Sequence, residues 1–131
     1  MKYFIDSDIL IDVLEGVNGS KEFLFDLWSK GVLYTTLINV VEIMSGKETK
    51  DKRIKEKIMD FLNEFVIIGF ELDSAVKAGE IRRDYNIPFA DAIIASIAIS
   101  KECLLVTYNA KHFKDIEKLK MMIPKYRASF T

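Results

Sequence analysis

Three carboxylates in this chain stand where water is scarce. Asp6 closes the apolar run Tyr3-Phe4-Ile5. That run reads as a strand, so Asp6 falls at a strand's carboxyl end, the edge at which open α/β sheets bind ligands. Glu42 interrupts the stretch Asn39-Val40-Val41-Glu42-Ile43-Met44, apolar apart from Asn39, and Asp91 is the lone charge between Ile87 and Ser100. Singly, each has an ordinary explanation: a turn hydrogen bond for Asp6, an escape to solvent for Glu42, a helix dipole for Asp91. Together they pose a harder problem, because burying an unpaired carboxylate costs several kcal/mol. No lysine or arginine lies within a helical turn of Asp91 or within four residues of Glu42. Lys2 shares a strand with Asp6 but sits about 13 Å away at roughly 3.3 Å per residue.

A cation shared by all three resolves the problem. Oxygen-only donors select a hard ion, Mg²⁺ or Mn²⁺. One histidine, His112, and one cysteine, Cys103, are too few for a zinc site of the Cys/His type. Hydrolysis of a phosphodiester is the commonest chemistry for such an arrangement, since the ion acidifies a water and a second ion stabilises the leaving oxygen.

The elements that must position these groups follow from hydropathy. Short apolar runs at Tyr3–Ile5, Val32–Thr36, Val66–Phe70 and Leu104–Thr107 predict strands, with a weaker candidate at Lys120–Ile123. Segments of helical length separate them: Asp8–Glu15, Ser20–Lys30, Leu37–Ser45, Asp51–Phe65, Ser74–Asn86 and Phe89–Lys101. Alternating strands and helices predict a three-layer α/β/α sandwich around a mostly parallel sheet of four to five strands. The strands lack clean alternation, as expected when both faces are covered. Asp51–Phe65 carries an apolar stripe of Ile54, Ile58, Phe61, Leu62 and Phe65, whereas Phe89–Ser100 is apolar nearly all round and reads as a buried helix.

The 131 residues are half hydrophobic, with no repeat, linker or low-complexity tract, and suit one domain over 1–131. The lone Cys103 excludes a disulfide framework and reads as a small core residue, as expected of a cytoplasmic protein. The longest nearly uncharged stretch, 14 residues from Ile87 to Ser100, is too short for a membrane span of about 20. A net charge of −1 offers no global basic field for nucleic acid. Its distribution is more telling. Residues 1–46 hold three basic and seven acidic side chains, and residues 47–131 hold sixteen and thirteen, with basic excesses in 47–57 and 111–127. A few such lysines near a metal suffice for phosphate contacts.

Several neighbours carry two readings. Ser7 suits an N-cap for the helix that follows it, a catalytic contact, or both. Asp8 and Asp12, four apart, are expected to face solvent and the helix dipole, with an auxiliary metal role for Asp8 as the alternative. His112 is expected to be a partly exposed histidine packing beside Phe113; a proton-shuttle or phosphate role is the sharper option. Phe23, Leu24, Phe25 and Trp28 crowd one helix, partly as core and partly as a surface for a dimer or another partner.

The strings FIDSDILIDVL, TTLINVVEIMSG, IPFADAIIASIAI and LLVTYNAKHF, in that order, resemble the PIN-domain ribonucleases, and the short length is similar to the VapC-type toxins among them. The resemblance runs from Tyr3 to about Ile116. It implies that Asp6, Glu42 and Asp91 bind Mg²⁺ or Mn²⁺, that Ser7 is the hydroxyl after the first acid, and that Thr107 and Asn109 are the polar residues after the fourth strand. It further implies an endoribonuclease leaving 5′-phosphate and 3′-hydroxyl ends, acting on structured RNA as a homodimer and silenced by a small cognate antitoxin. The pattern departs at one point. The family often places a fourth acid where this chain has His112, so a second metal position is weakened, water-filled, completed by substrate, or served by Asp115. Three rival readings stay open: a housekeeping RNA-processing nuclease, a catalytically silent partner-binding scaffold, and a receiver-like signalling module. The last of these requires an acid ending the third strand, where Ile67-Ile68-Gly69-Phe70 has none.

Overall fold

The computed structural model describes residues 1–127, so the last four residues of the expected 1–131 unit lie outside the described residues. Within them, five strands form one sheet: β1 (Lys2–Ile5), β2 (Val32–Thr36), β3 (Val66–Ile68), β4 (Leu104–Val106) and β5 (Met121–Met122). Their order is β3-β2-β1-β4-β5 and every pairing is parallel. The expectation of a mostly parallel sheet is met by a wholly parallel one.

Among the described residues, seven helices cover the sheet: α1 (Ser7–Leu14), α2 (Ser20–Lys30), α3 (Leu37–Met44), α4 (Lys52–Leu62), α5 (Leu72–Tyr85), α6 (Phe89–Ser100) and α7 (Ala110–Phe113). The alternation of the pleat divides the core in two. Tyr3 and Ile5 pack with Ile9, Leu10, Leu24, Leu27, Ile58 and Leu62 of α1, α2 and α4. Phe4 and Leu105 pack with Ala78, Ile93, Ile94, Ile97 and Phe113 of α5, α6 and α7. Two helical layers on opposite faces make the α/β/α sandwich.

Local chemistry sets the boundaries. Asp51 caps α4, accepting from the N–H groups of Arg53 and Ile54, and the helix ends at Leu62 rather than Phe65. The helix expected from Ser74 begins two residues earlier, at Leu72, and stops at Tyr85, where Asn86 takes a left-handed φ of 51°. Asn can hold that conformation at modest cost. Two short pieces go beyond the expectation, a 3₁₀ turn at Lys47–Lys50 and α7, which fully buried Phe113 anchors. Burial on both faces holds for β1 and β4 but not for β3, an edge strand whose Val66 and Ile67 are exposed. Helix α6 is buried without interruption from Ala92 to Ala98, as its composition requires.

The topology creates the site. The chain steps outward from β1 to β2 to β3, then returns through α5 and α6 to place β4 on the other side of β1. Such a reversal leaves a crevice at the strands' carboxyl ends. Asp6 sits in it, its N–H donating to the Val106 carbonyl at 3.1 Å.

Candidate metal centre

Asp6 is both the residue that leaves β1 and the N-cap of α1. This corrects the expectation for Ser7, which is the first residue inside the helix. The short carboxylate caps the turn itself, Oδ1 accepting the Ser7 N–H at 2.8 Å. The Ser7 hydroxyl is thereby free to bind elsewhere, and its Oγ donates to Glu42 Oε1 at 2.8 Å. The Asn39 amide ties the two acids together, donating to Ser7 Oγ at 2.8 Å and to Asp6 Oδ1 at 3.3 Å. Asn39 is fixed in turn by a capping box with Thr36 at the start of α3. From the other side of the crevice, Thr107 Oγ donates to Asp6 Oδ2 at 2.8 Å.

All of these donors are neutral, so they orient the carboxylates without cancelling their charge. Asp6 is 4% exposed. Burial, reinforced by the Asp8 carboxylate, drives its pKa up to about 7 against hydrogen bonds from Thr107 and Ser7 that favour ionisation. Burial also raises the Glu42 pKa, with Asp91 and Asp8 adding repulsion against the Ser7 hydrogen bond. Glu42 itself stands at the exposed rim of the crevice, the solvent-reaching position weighed for it from sequence. Asp91, in the first turn of α6, completes the set, its Oδ2 lying 2.6 Å from His112 Nδ1.

Asp8 joins these acids, contrary to the solvent-facing role expected of it. Its carboxylate accepts the Ile9 N–H and the Tyr108 N–H, both at 2.8 Å, and stands 3.4 Å from Thr107 Oγ. Asp12 is no solvent group either. Tyr126 Oη and Arg127 Nε both donate to its Oδ2, the latter at 2.9 Å. The Arg127 guanidinium lies 4.1 Å from the centre of the Tyr108 ring, and the Arg127 backbone N–H donates to Tyr108 Oη at 3.0 Å. The C-terminal strand exit is thus strapped across α1, holding the peptide that bonds Asp8. Apart from the adjacent Ile9 N–H, the partners of the Asp8 and Asp12 carboxylates lie about 100 residues or more away in sequence, so no local pattern announces them.

The remaining expectations resolve individually. Thr107 points into the cluster, and Asn109 supports it through the main chain, its N–H donating to Thr107 Oγ at 3.0 Å. His112 lies beside Phe113, as expected, but its imidazole is committed to Asp91. Asp115 lines a cleft of about 220 Å³ with Lys111, His112, Asn86 and Pro88 and makes no side-chain hydrogen bond among the described residues. Sequence reasoning misses Asn39 and Tyr108 as site residues. Only Asn39 carries a signal, as the one other polar residue in the Glu42 stretch.

Among the described residues, no three histidine, cysteine, aspartate or glutamate side chains converge closely enough to enclose a metal ion unaided. The chemistry of the donor set nonetheless fits a hard cation: oxygen donors only, mutually repelling, preoriented by uncharged hydroxyl and amide groups.

The profile of the PIN domain matches residues 3–119. The chain belongs to the PIN-domain family. This PIN domain is 28% identical over 130 residues to "Ribonuclease VapC10" of Mycobacterium tuberculosis, covering 94% of this chain and 96% of that one. Its fold is similar to a solved structure of VapBC2 from Rickettsia felis bound to a promoter DNA fragment. That match has a TM-score of 0.81, 26% identity, and coverage of 95% of this chain and 100% of the other. A toxin–antitoxin complex from Klebsiella pneumoniae is similar at a TM-score of 0.77 and 26% identity, covering 96% and 99% of the two chains. The receiver-like alternative is overturned by PIN-domain membership and by the strand order, which is not the 2-1-3-4-5 of that doubly wound class.

Proposed function

We propose that this PIN domain, read as one unit over 1–131, is a divalent-metal-dependent endoribonuclease and the toxin of a toxin–antitoxin pair. The observation that carries the reading is the buried Asp6, held among the described residues by neutral donors and gathered with Asp8, Glu42 and Asp91 at the sheet's switch point in a chain of this family. Asp6, Glu42 and Asp91 are assigned as the ligands, Mg²⁺ as the preferred ion and Mn²⁺ as its substitute. Such an ion, when bound, polarises a phosphodiester and lowers the pKa of water. The chain's own work is positional. Thr107 and Asn39 hold Asp6, Ser7 holds Glu42 at the rim, and Asn109 braces Thr107 through its backbone. Lysines of the basic segments, Lys111 among them, meet the RNA phosphates.

The decisive experiment is cleavage of RNA by purified protein. Degradation with Mg²⁺ or Mn²⁺, abolished by EDTA and restored by adding the ion back, is expected; cleavage that survives chelation would defeat the metal assignment.

The names of the relatives support a protein partner as well as an RNA substrate. We place the antitoxin in the apolar groove of about 560 Å³ lined by Val13, Leu24, Phe25, Trp28 and Phe61, the crowded aromatic helix noted in the sequence. Among the described residues no helix is long and apolar enough to cross a membrane, which fits the cytoplasmic setting this function needs.

A homodimer is the second assembly we assign, through α5. Leu72 and Val76 project from this helix at 79% and 56% exposure, next to exposed Phe70 and Phe89. Glu71 and Asp73 flank its start and Arg82 its end, Arg83 being paired with Asp84, so two copies packed antiparallel about a twofold axis bring the acidic start against Arg82. Light scattering should give twice the 15.1 kDa chain mass for the wild type and one chain mass for Val76→Glu. A wild-type protein that is monomeric at micromolar concentration contradicts this arrangement.

A further inference from the structure

We propose that His112 is a positioning residue for Asp91, holding one carboxylate oxygen so that the other faces the cation. This role rests on the assignment of Asp91 as a metal ligand. The geometry is specific. His112 Nδ1 stands 2.6 Å from Asp91 Oδ2, with the carboxylate side chain 14% and the imidazole 34% exposed. In this role Nδ1 is the protonated ring nitrogen and donates to the carboxylate oxygen. That nitrogen then has no lone pair for a metal, which separates this role from the fourth-ligand role of an acid at the same position.

Asp91 needs such a partner. It sits on the first turn of α6, with no basic residue nearby in sequence, and among the described residues its carboxylate is fixed by this hydrogen bond alone. The donor itself is well anchored. Next to His112, Phe113 is 0% exposed in the core against α6, and the His112 N–H is tied to the Asn109 carbonyl at 2.9 Å. The imidazole is therefore presented from a short helix that cannot easily drift. A carboxylate has two oxygens, so a bond from His112 to Oδ2 leaves Oδ1 available. Hydrogen-bonded supports of this kind orient metal-ligating side chains, and their loss typically costs about 10–100-fold in metal affinity or activity.

The two imidazole nitrogens can be told apart by substitution. An asparagine amide can place an N–H where Nδ1 was, because both atoms are bonded to Cγ. A glutamine amide reaches the position of Nε2 instead. Mn²⁺ affinity of the purified chain, read from the electron paramagnetic resonance of free Mn²⁺, is measured for wild type, Asp91→Asn, His112→Ala, His112→Asn and His112→Gln, with a thermal melt of each. His112→Ala and His112→Gln should bind Mn²⁺ about 10–100-fold more weakly, and His112→Asn should bind close to wild type. Weak binding by Asp91→Asn combined with unchanged binding by His112→Ala overturns the positioning role alone. Equal affinities for the asparagine and glutamine variants overturn it too, and that comparison decides the matter if alanine unfolds the α7 turn. Wild-type Mn²⁺ binding by Asp91→Asn overturns the metal assignment and the positioning role with it.

Discussion

Asp91→Asn is expected to abolish RNA cleavage and any growth arrest while leaving the fold intact. The substitution exchanges one oxygen for an amide nitrogen. The remaining oxygen can still accept from His112 Nδ1, so the contact between α6 and α7 persists. Buried helix packing from Ala92 to Ala98 is untouched. What disappears is the negative charge that the proposed assignment gives to the cation, in a site whose contribution to the transition state would be worth several kcal/mol. At about 1.36 kcal/mol per tenfold in rate, a loss on the order of 10³-fold or more follows. Gel-based cleavage assays and circular dichroism on the same preparation check both halves. Undiminished cleavage or toxicity in this variant refutes the catalytic assignment.

Raising the pH should destabilise the metal-free protein, and a divalent cation should reverse the loss. Asp6 titrates near 3.8 when unfolded and at about 7 in the fold. Between those values the folded state retains a proton that the unfolded state has released, so unfolding becomes more favourable as pH rises. The stability contributed by the protonated form is complete below about pH 4 and is lost as pH passes through about 7. A shift of this size corresponds to on the order of 4 kcal/mol for a group so deeply buried. The upward shifts at Asp8 and Glu42 act in the same direction. Thermal melts of chelated protein across this range should therefore fall with pH, and Asp6→Asn, which has no proton to lose, should flatten the slope. Adding Mg²⁺ at about pH 8 to about 100 times its Kd should return about 2.7 kcal/mol. A melting profile independent of pH, or indifferent to Mg²⁺, contradicts the picture of a carboxylate cluster awaiting its cation.

The class of fold and the principal acids are legible in the sequence for one reason: both are written in local contrast. A strand of Tyr3-Phe4-Ile5 ending in an acid, or a helix with Asp91 as its lone charge, stands out against its neighbours. Asp8 and Asp12 do not. They look like ordinary acids on an amphipathic helix, and only Tyr108, Tyr126 and Arg127, brought in from the far end of the chain, turn them inward. The role of His112 is hidden on the same ground, since its partner lies 21 residues away on another helix. Ser7 and Asp6 compete for one cap, because either short polar side chain satisfies the pattern and only backbone geometry chooses between them. The predicted strand ends run too far at β3 and β4, where residues apolar or β-branched enough for a strand instead leave it. Thr107 is the clearest case: its N–H still bonds to the Met122 carbonyl while its hydroxyl serves Asp6.

The position of β1 at the centre of the sheet has a consequence for how the molecule comes into being. Strand β1 pairs on one side with β2, thirty residues later, and on the other with β4, Tyr3 lying opposite Leu104. Contacts so distant in sequence form late and slowly, because the intervening chain must be closed into a loop first. A chain cut short before Leu104 leaves β1 with an open edge, Asp6 without Thr107 and Asp8 without Tyr108. A chain of that length holds Asp6, Glu42 and Asp91 but lacks the groups that orient Asp6 and Asp8 from the far side of the crevice, so the ligands and their supports are joined only when β4 docks against β1.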